Sequence, residues 1–294
     1  MKDEFPYGYS SSFTVDVEDG ISLAMRDTFS VKSEQTNRVV SLTKRILNLL
    51  SDYNTKGTFF VLGQVAEKYP GLVKQIADEG HELGVHGYNH LQFFRMTPKQ
   101  AFEELQRAKN LVEDLSGCEV AGHRAPAFSI TPETKWALDV IAEVGFTYDS
   151  SIMPSNGYRY GWPGFKKDIH SVVTPSGNNL VEVPLSTMNI LGRDIPVCGG
   201  GYLRLFPFRY TKMAFNKIQK KRPVILYLHP YELDTEKYPD YYFEQLNRAD
   251  YITRFKMESM WINRKSVYGK LTNLLENNQF EKMINLVTTK YPNI

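Results

Sequence analysis

His86-Gly-Tyr-Asn-His90 places two imidazoles four residues apart, close enough to reach one ion from a short helical turn or a loop at a strand end. The acidic run Asp16-Val-Glu18-Asp19 lies about 70 residues earlier and offers a carboxylate from a different strand end. Two His and one carboxylate leave open positions on a divalent ion, and open positions are what a hydrolytic metal uses. An isolated H-x-x-x-H is often coincidental, so the flanking residues carry the argument. His81-Glu82 mimics the start of an H-E-x-x-H zinc helix, but residue 85 is Val, and Gly80, Gly84 and Gly87 oppose a helix. Residues 81–86 read instead as a short strand with His86 at its carboxyl tip and His81 structural.

The elements that must position these groups alternate between strand and helix. Strands are expected at 12–17, 57–62, 81–86, 119–123, 146–149, 180–184 and 224–229. Apolar residues at helical spacing mark 36–52. Thr97-Pro98 and Thr131-Pro132 each supply an N-cap and a first-turn proline, opening helices to about Ser116 and Val144. A further helix is expected at 207–219, a long loop at 152–171, and mostly helix over 242–290. This rhythm is that of a parallel α/β barrel or doubly wound sheet. The acidic run, His86/His90, Arg124, Asp149 and His229 each fall at or just past an expected strand end. In a barrel that collects them on one rim, where barrel sites lie.

Composition narrows the classes. A net charge of +2 with no long Lys/Arg run argues against nucleic acid as a partner. Lys220-Lys221-Arg222 reads as a solvated helix end. Cys118 and Cys198 lack metal-ligand spacing and are expected to be unpaired. No stretch has the roughly 18 apolar residues of a membrane span, and residues 1–12 lack an export signal, so the expected location is the cytoplasm. The chain shows no repeat and no linker. One domain over 1–294, with a helical C-terminal extension over about 235–294, is the simplest organisation.

The residues resemble a known family, the polysaccharide deacetylases of carbohydrate esterase family 4 (NodB homology). The likeness runs from about Phe13 to Tyr231. It rests on Asp16 to Gly20, Gly57-Thr-Phe-Phe-Val-Leu-Gly63, Gly80 to His90, Arg124-Ala-Pro126-Ala-Phe, Tyr148-Asp-Ser-Ser151 and Leu226-Tyr-Leu-His-Pro230. Val15-Asp-Val-Glu-Asp19, Gly199-Gly-Gly-Tyr202 and His229-Pro-Tyr-Glu232 are similar to a subgroup from exopolysaccharide and O-antigen loci. The resemblance implies an irregular (β/α) barrel of about seven strands and removal of acetyl from an N-acetylated sugar. It also implies a divalent ion, zinc first among candidates, held by His86, His90 and an Asp. A carboxylate would take a proton from water, a backbone N–H would help hold the oxyanion, and His229 would protonate the departing amine. Arg124 would anchor the base, and Asp149 would orient His229.

The acidic run departs from the usual Thr-Phe-Asp-Asp-Gly. Alignment on Gly20 makes Asp19 the expected metal ligand in preference to Glu18. For the base, Asp16 is preferred and Glu18 is the alternative. In a strand Asp16 and Glu18 share one face, and Asp19 joins them only if the chain turns at Gly20. Asp149 has a loop-stabilising role as its alternative. His123 is expected to be structural and His170 solvated. Tyr158, Tyr160, Trp162 and Gly199 to Tyr202 either shape a glycan groove or pack as ordinary loops. The expected substrate is an N-acetylhexosamine intermediate of surface-polysaccharide synthesis, nucleotide- or lipid-linked. The rival readings are a cyclic amide or imide hydrolase on the same scaffold and a glycan-binding relative without chemistry.

Overall fold

The computed structural model describes residues 8–157 and 160–293. Its centre is a curled sheet. In chain order the strands are β1 (Ser11–Val17), β2 (Thr58–Val61), β3 (Glu82–Val85), β4 (Gly122–His123), β5 (Tyr148–Asp149), β6 (His170–Val173), β7 (Asn179–Glu182), β8 (Thr187–Ile190), β9 (Arg193–Pro196), β10 (Ile225–Leu228) and β11 (Phe280–Glu281). Strands β10-β1-β2-β3-β4-β5-β7 run parallel in that order, which gives the seven strands of an irregular (β/α)7 barrel. β6 adds antiparallel to β7, β11 pairs the start of β1, and β8–β9 form a separate hairpin. The gap between β7 and β10 is bridged irregularly. Ile225 N–H donates to Ser186 Oγ at 2.8 Å, and Tyr227 N–H donates to the Cys198 carbonyl at 3.2 Å.

Alternation along β1 sorts its side chains between two layers. Phe13, Val15 and Val17 join the large core under the outer helices, whereas Thr14 and Asp16 face the barrel interior and meet Arg124. Interior packing continues through Phe60, Tyr148, Val181, Ile225 and Tyr227. The outer layer includes α1 (Gly20–Leu23), α2 (Arg38–Asp52), α3 (Gly63–Lys68), α4 (Pro70–Asp78), α5 (Pro98–Ser116), α6 (Ala137–Glu143), α7 (Gly200–Leu205) and α8 (Phe208–Gln219). α5 has the expected Thr97 N-cap, which Gln100 completes as a capping box, and stops at left-handed Gly117.

The C-terminal helices are α9 (Asp240–Arg248), α10 (Tyr251–Ser259), α11 (Arg264–Asn277) and α12 (Met283–Lys290). Tyr238, Tyr242, Leu246 and Met257 pack on Ile21, Ala24 and Met25, so this segment roofs the loop that follows β1. Met283, Leu286 and Val287 of α12 join the interior cluster. The Thr58 hydroxyl and Glu82 carboxylate accept the Met283 and Ile284 N–H groups at 2.8 and 3.0 Å. His81 accepts the Gly57 N–H through Nδ1 at 3.0 Å.

The structure corrects several boundaries. The segment after Thr131 starts as a 3-10 turn (Pro132–Thr134), and α6 proper begins only at Ala137. The long loop ends two residues early, because His170 already belongs to β6, half-buried against Phe165. The strand at 119–123 shortens to two residues. Among the described residues no helix is long and apolar enough to cross a membrane.

Candidate metal and catalytic centre

Asp16 near the end of β1 and Glu18 just past it are two residues apart, and both line the barrel mouth. The chain then turns at Asp19, whose Oδ1 accepts the Ile21 N–H at 3.0 Å as the N-cap of α1. Its Oδ2 takes the Thr36 N–H. Both oxygens of Asp19 are therefore spent on backbone donors, away from the imidazoles. This corrects the sequence expectation for Asp19. The residue preceding Gly20 closes the turn, and the carboxylate one position earlier faces the histidines.

His86 follows β3, and the loop reverses through Gly87 (φ 73) and His90 (φ 58) to bring both rings over Glu18. Glu18 Oε2 lies 2.8 Å from His90 Nε2 and 3.5 Å from His86 Nε2. His86 Nδ1 is 2.9 Å from the Arg124 carbonyl, which only accepts, so Nδ1 carries the proton and Nε2 presents a lone pair. Among the described residues Glu18, His86 and His90 form a buried group whose ligand atoms all lie within 4.8 Å of one another. Glu18 Oε2 makes no hydrogen bond despite its burial. An orphaned carboxylate oxygen beside two converging ring nitrogens fits a divalent cation.

Burial pushes the Glu18 carboxyl up, but the charges of His90 and His229 and its contacts with both imidazoles outweigh this and hold it well below its usual range. Burial pulls His90 down, while Glu18 and Asp27 lift it to about 9. Asp27 Oδ2 sits 3.5 Å from His90 Nδ1 on the far side of the ring from Glu18.

A second group adjoins the first. Arg124 is fully buried, with NH1 donating to Asp16 Oδ1 at 2.8 Å and to Thr14 Oγ1 at 2.7 Å. Nε and NH2 go to the carbonyl and hydroxyl of Ser150, at 3.1 and 3.0 Å, and the guanidinium lies over the Phe60 ring. Asp16 Oδ2 remains turned to the cleft, 3.8 Å from His229 Nε2. That nitrogen is also 3.5 Å from Glu18 Oε1. Nδ1 of His229 faces Glu232 at 3.7 Å, and its ring stacks on Tyr231 at 4.8 Å. Burial lowers His229, but Glu18, Glu232 and Asp16 together raise it to about 9.

Asp149 is elsewhere. Its Oδ1 meets His123 Nδ1 at 2.7 Å and accepts the Ser151 hydroxyl at 2.6 Å, deep beneath the cleft. This corrects its expected pairing with His229, because β5 points its last side chain at β4 and not at the rim. Burial and the Asp149 charge push the neighbouring Glu182 carboxyl well above its usual range. His123 is buried in this network against Phe93 and Phe146.

The reading from sequence gave no role to Glu232, Tyr231 or Asp27. Glu232 had a signal, since His229-Pro-Tyr-Glu232 forms a 3-10 turn that folds residue i+3 back on residue i. Asp27 had none, for it sits on an irregular π-helical turn (Ala24–Thr28). Tyr158 lies outside the described residues. Tyr160 and Tyr202 join hydroxyls at 3.0 Å in the cleft wall. Gly199 and Gly200 allow the chain to lie on the Tyr227 ring, where an added Cβ would come within 2.1 and 2.8 Å of ring atoms. The whole cleft encloses about 1280 Å³.

A seven-stranded parallel barrel with a His-His-carboxylate group on its carboxyl rim is an arrangement suited to holding a hydrolytic metal. Comparison with known proteins narrows the class. Residues 28–148 match the polysaccharide deacetylase family, and residues 150–288 match a domain of unknown function, DUF3473. The chain is 35% identical over 116 residues to a peptidoglycan deacetylase of Helicobacter pylori, covering 40% of this chain and 39% of that protein. It is 34% identical over 101 residues to a peptidoglycan-N-acetylglucosamine deacetylase of Bacillus cereus, covering 34% and 37%. The chain thus spans about two fifths of the length of these curated relatives. A crystal structure of a putative polysaccharide deacetylase from Mycobacterium smegmatis superposes with a TM-score of 0.63 at 20% identity, covering 97% of this chain and 91% of that one. Puue allantoinase does so with a TM-score of 0.61 at 16% identity, covering 97% and 90%. These two likenesses are of fold. Residues 28–148 are thus similar to the polysaccharide deacetylases, the family that the sequence motifs resemble.

Proposed function

We propose that this chain is a metal-dependent N-deacetylase acting on an N-acetylated sugar of a surface-polysaccharide pathway. The observation that carries the reading is the convergence of Glu18, His86 and His90 with Asp16 and His229 in one cleft. Glu18 and the two Nε2 atoms hold a divalent ion, zinc first among candidates. Such an ion polarises an acetyl carbonyl and makes water more acidic.

The protein's own groups do the rest. Asp16, fixed by Arg124 through one oxygen, keeps the other free to take a proton from the attacking water. His229 Nε2 faces Asp16 Oδ2 across 3.8 Å, placed to give a proton to the nitrogen as the C–N bond breaks. Water adds to the carbonyl carbon, and the products are acetate and a free amine. Glu232 and Tyr231 hold the His229 ring.

The cleft volume exceeds the roughly 300–1,000 Å³ of common small-ligand sites, which supports a substrate larger than one free sugar. A nucleotide- or lipid-linked N-acetylhexosamine and an oligosaccharide both satisfy that size. The test is acetate release from N-acetylated oligosaccharides. Release abolished by a chelator and restored by zinc supports the reading, and no release from any N-acetyl sugar by the zinc-loaded protein overturns it.

A further inference from the structure

The four residues after the His90 loop form a strip that the chemistry above leaves unused. Phe93 is its anchor, buried edge-on against His123 and Trp136, with its N–H on the Ser129 hydroxyl at 3.2 Å. The 3-10 turn Phe93–Arg95 then turns Gln92, Phe94 and Arg95 towards the cleft.

Each of the three is unsatisfied in its own way. Gln92 is only 9% exposed, yet its Oε1 has no hydrogen-bond partner, which a native fold seldom tolerates without a ligand or water to meet it. Phe94 is 57% exposed on the cleft wall, a flat apolar face at a site that otherwise handles polar substrate. Arg95 is exposed, and among the described residues its guanidinium pairs with no carboxylate. The acids of the same cleft are committed elsewhere. Glu133 accepts from the Thr131 hydroxyl, Asp27 pairs with Arg26, and Asp16 and Glu18 belong to the centre.

We propose that Gln92, Phe94 and Arg95 form a subsite for a neighbouring unit that carries a negative charge, a carboxylate or a phosphate, beside the N-acetylated sugar. The inference rests on the deacetylase reading. Phe94 supplies a face for the C–H side of a pyranose, Gln92 an acceptor and donor for a hydroxyl, and Arg95 a fork for the anion. Arg95 brings an exposed positive charge to this side of the cleft, beside Gln92 and Phe94.

The experiment compares three probes on the zinc-loaded protein: neutral chitotetraose, a hyaluronan tetrasaccharide carrying carboxylates, and UDP-N-acetylglucosamine carrying phosphates. At least one charged probe is expected to show a KM about tenfold below that of chitotetraose, a charge-assisted pair in a partly enclosed site being worth about that much. Which of the two it is separates carboxylate from phosphate. Arg95→Gln is expected to erase the preference and Arg95→Lys to keep part of it, whereas Phe94→Ala raises KM for charged and neutral probes alike. Chitotetraose used as well as both charged probes, or a preference unmoved in Arg95→Gln, overturns the subsite. If no probe releases acetate, the deacetylase reading fails. Calorimetric titration of the same probes then decides the subsite, with tighter binding of a charged probe supporting it and equal or absent binding overturning it.

Discussion

Arg124 NH1 and Asp16 Oδ1 meet at 2.8 Å with both side chains out of solvent, and this pair joins the barrel interior to the reacting centre. One Asp16 oxygen is tied to the guanidinium and the other faces His229. The proposed base is thereby aimed by an interaction between β1 and the end of β4, two strands that do not pair with each other.

Removing one partner of this pair leaves a buried charge uncompensated, which typically costs about 3–5 kcal/mol. Arg124→Met is expected to lower the urea midpoint sharply as well as acetate release. Asp16→Asn keeps the hydrogen bond to Arg124 but removes its counter-charge, so it is expected to lose both stability and kcat. Urea melts beside acetate release on both variants check this, and wild-type kcat in Asp16→Asn would count against the assignment of Asp16 as base.

Gly20 allows Tyr231 to close over the centre. A Cβ there would sit 2.7 Å from Tyr231 Cβ and Cγ, an overlap that nothing but movement of Tyr231 relieves. His229 stacks on that ring, so Gly20→Ala is expected to displace the acid and destabilise the fold by roughly 1–3 kcal/mol. Metal content should stay at the wild-type level while kcat falls. A variant with wild-type kcat would show that the stack has no role in placing His229.

His81 gives the fold an acid limb separate from the centre. Burial lowers it to about 4 from an ordinary 6.5, and its neutral Nδ1 accepts the Gly57 N–H. The folded value lies below the unfolded one, so its contribution is complete above about pH 6.5 and is lost as pH falls through about 4. His81→Asn retains an acceptor without the titration and is expected to flatten the fall in stability over that window. Urea melts from pH 7 to 4 read the slope directly, and parallel slopes in both proteins would remove His81 as its source.

Much of this fold was legible before any coordinates. The apolar spacing of 36–52, the capping signals at Thr97 and the short β-branched strands follow local rules that tertiary packing did not overturn. His86, His90 and His229 line the cleft from strand ends as expected, whereas Arg124 is fully buried in the barrel interior. What stayed hidden depended on turns. Asp19 and Glu18 differ by one residue, and only the cap of α1 decides which of them faces the histidines. Asp149 lies at a strand end as expected, but two-residue strands give no alternation from which to read its direction. Asp27 rides a π-helical turn, a backbone form with no sequence signature.

The ligand set itself is tested most directly by zinc stoichiometry on purified wild type, Glu18→Gln and Asp19→Asn. The geometry predicts about one zinc per wild-type chain, at least tenfold weaker binding in Glu18→Gln, and full occupancy in Asp19→Asn, whose amide oxygen still caps α1. Zinc retained by Glu18→Gln and lost from Asp19→Asn would contradict it, and would return the third ligand to the residue beside Gly20.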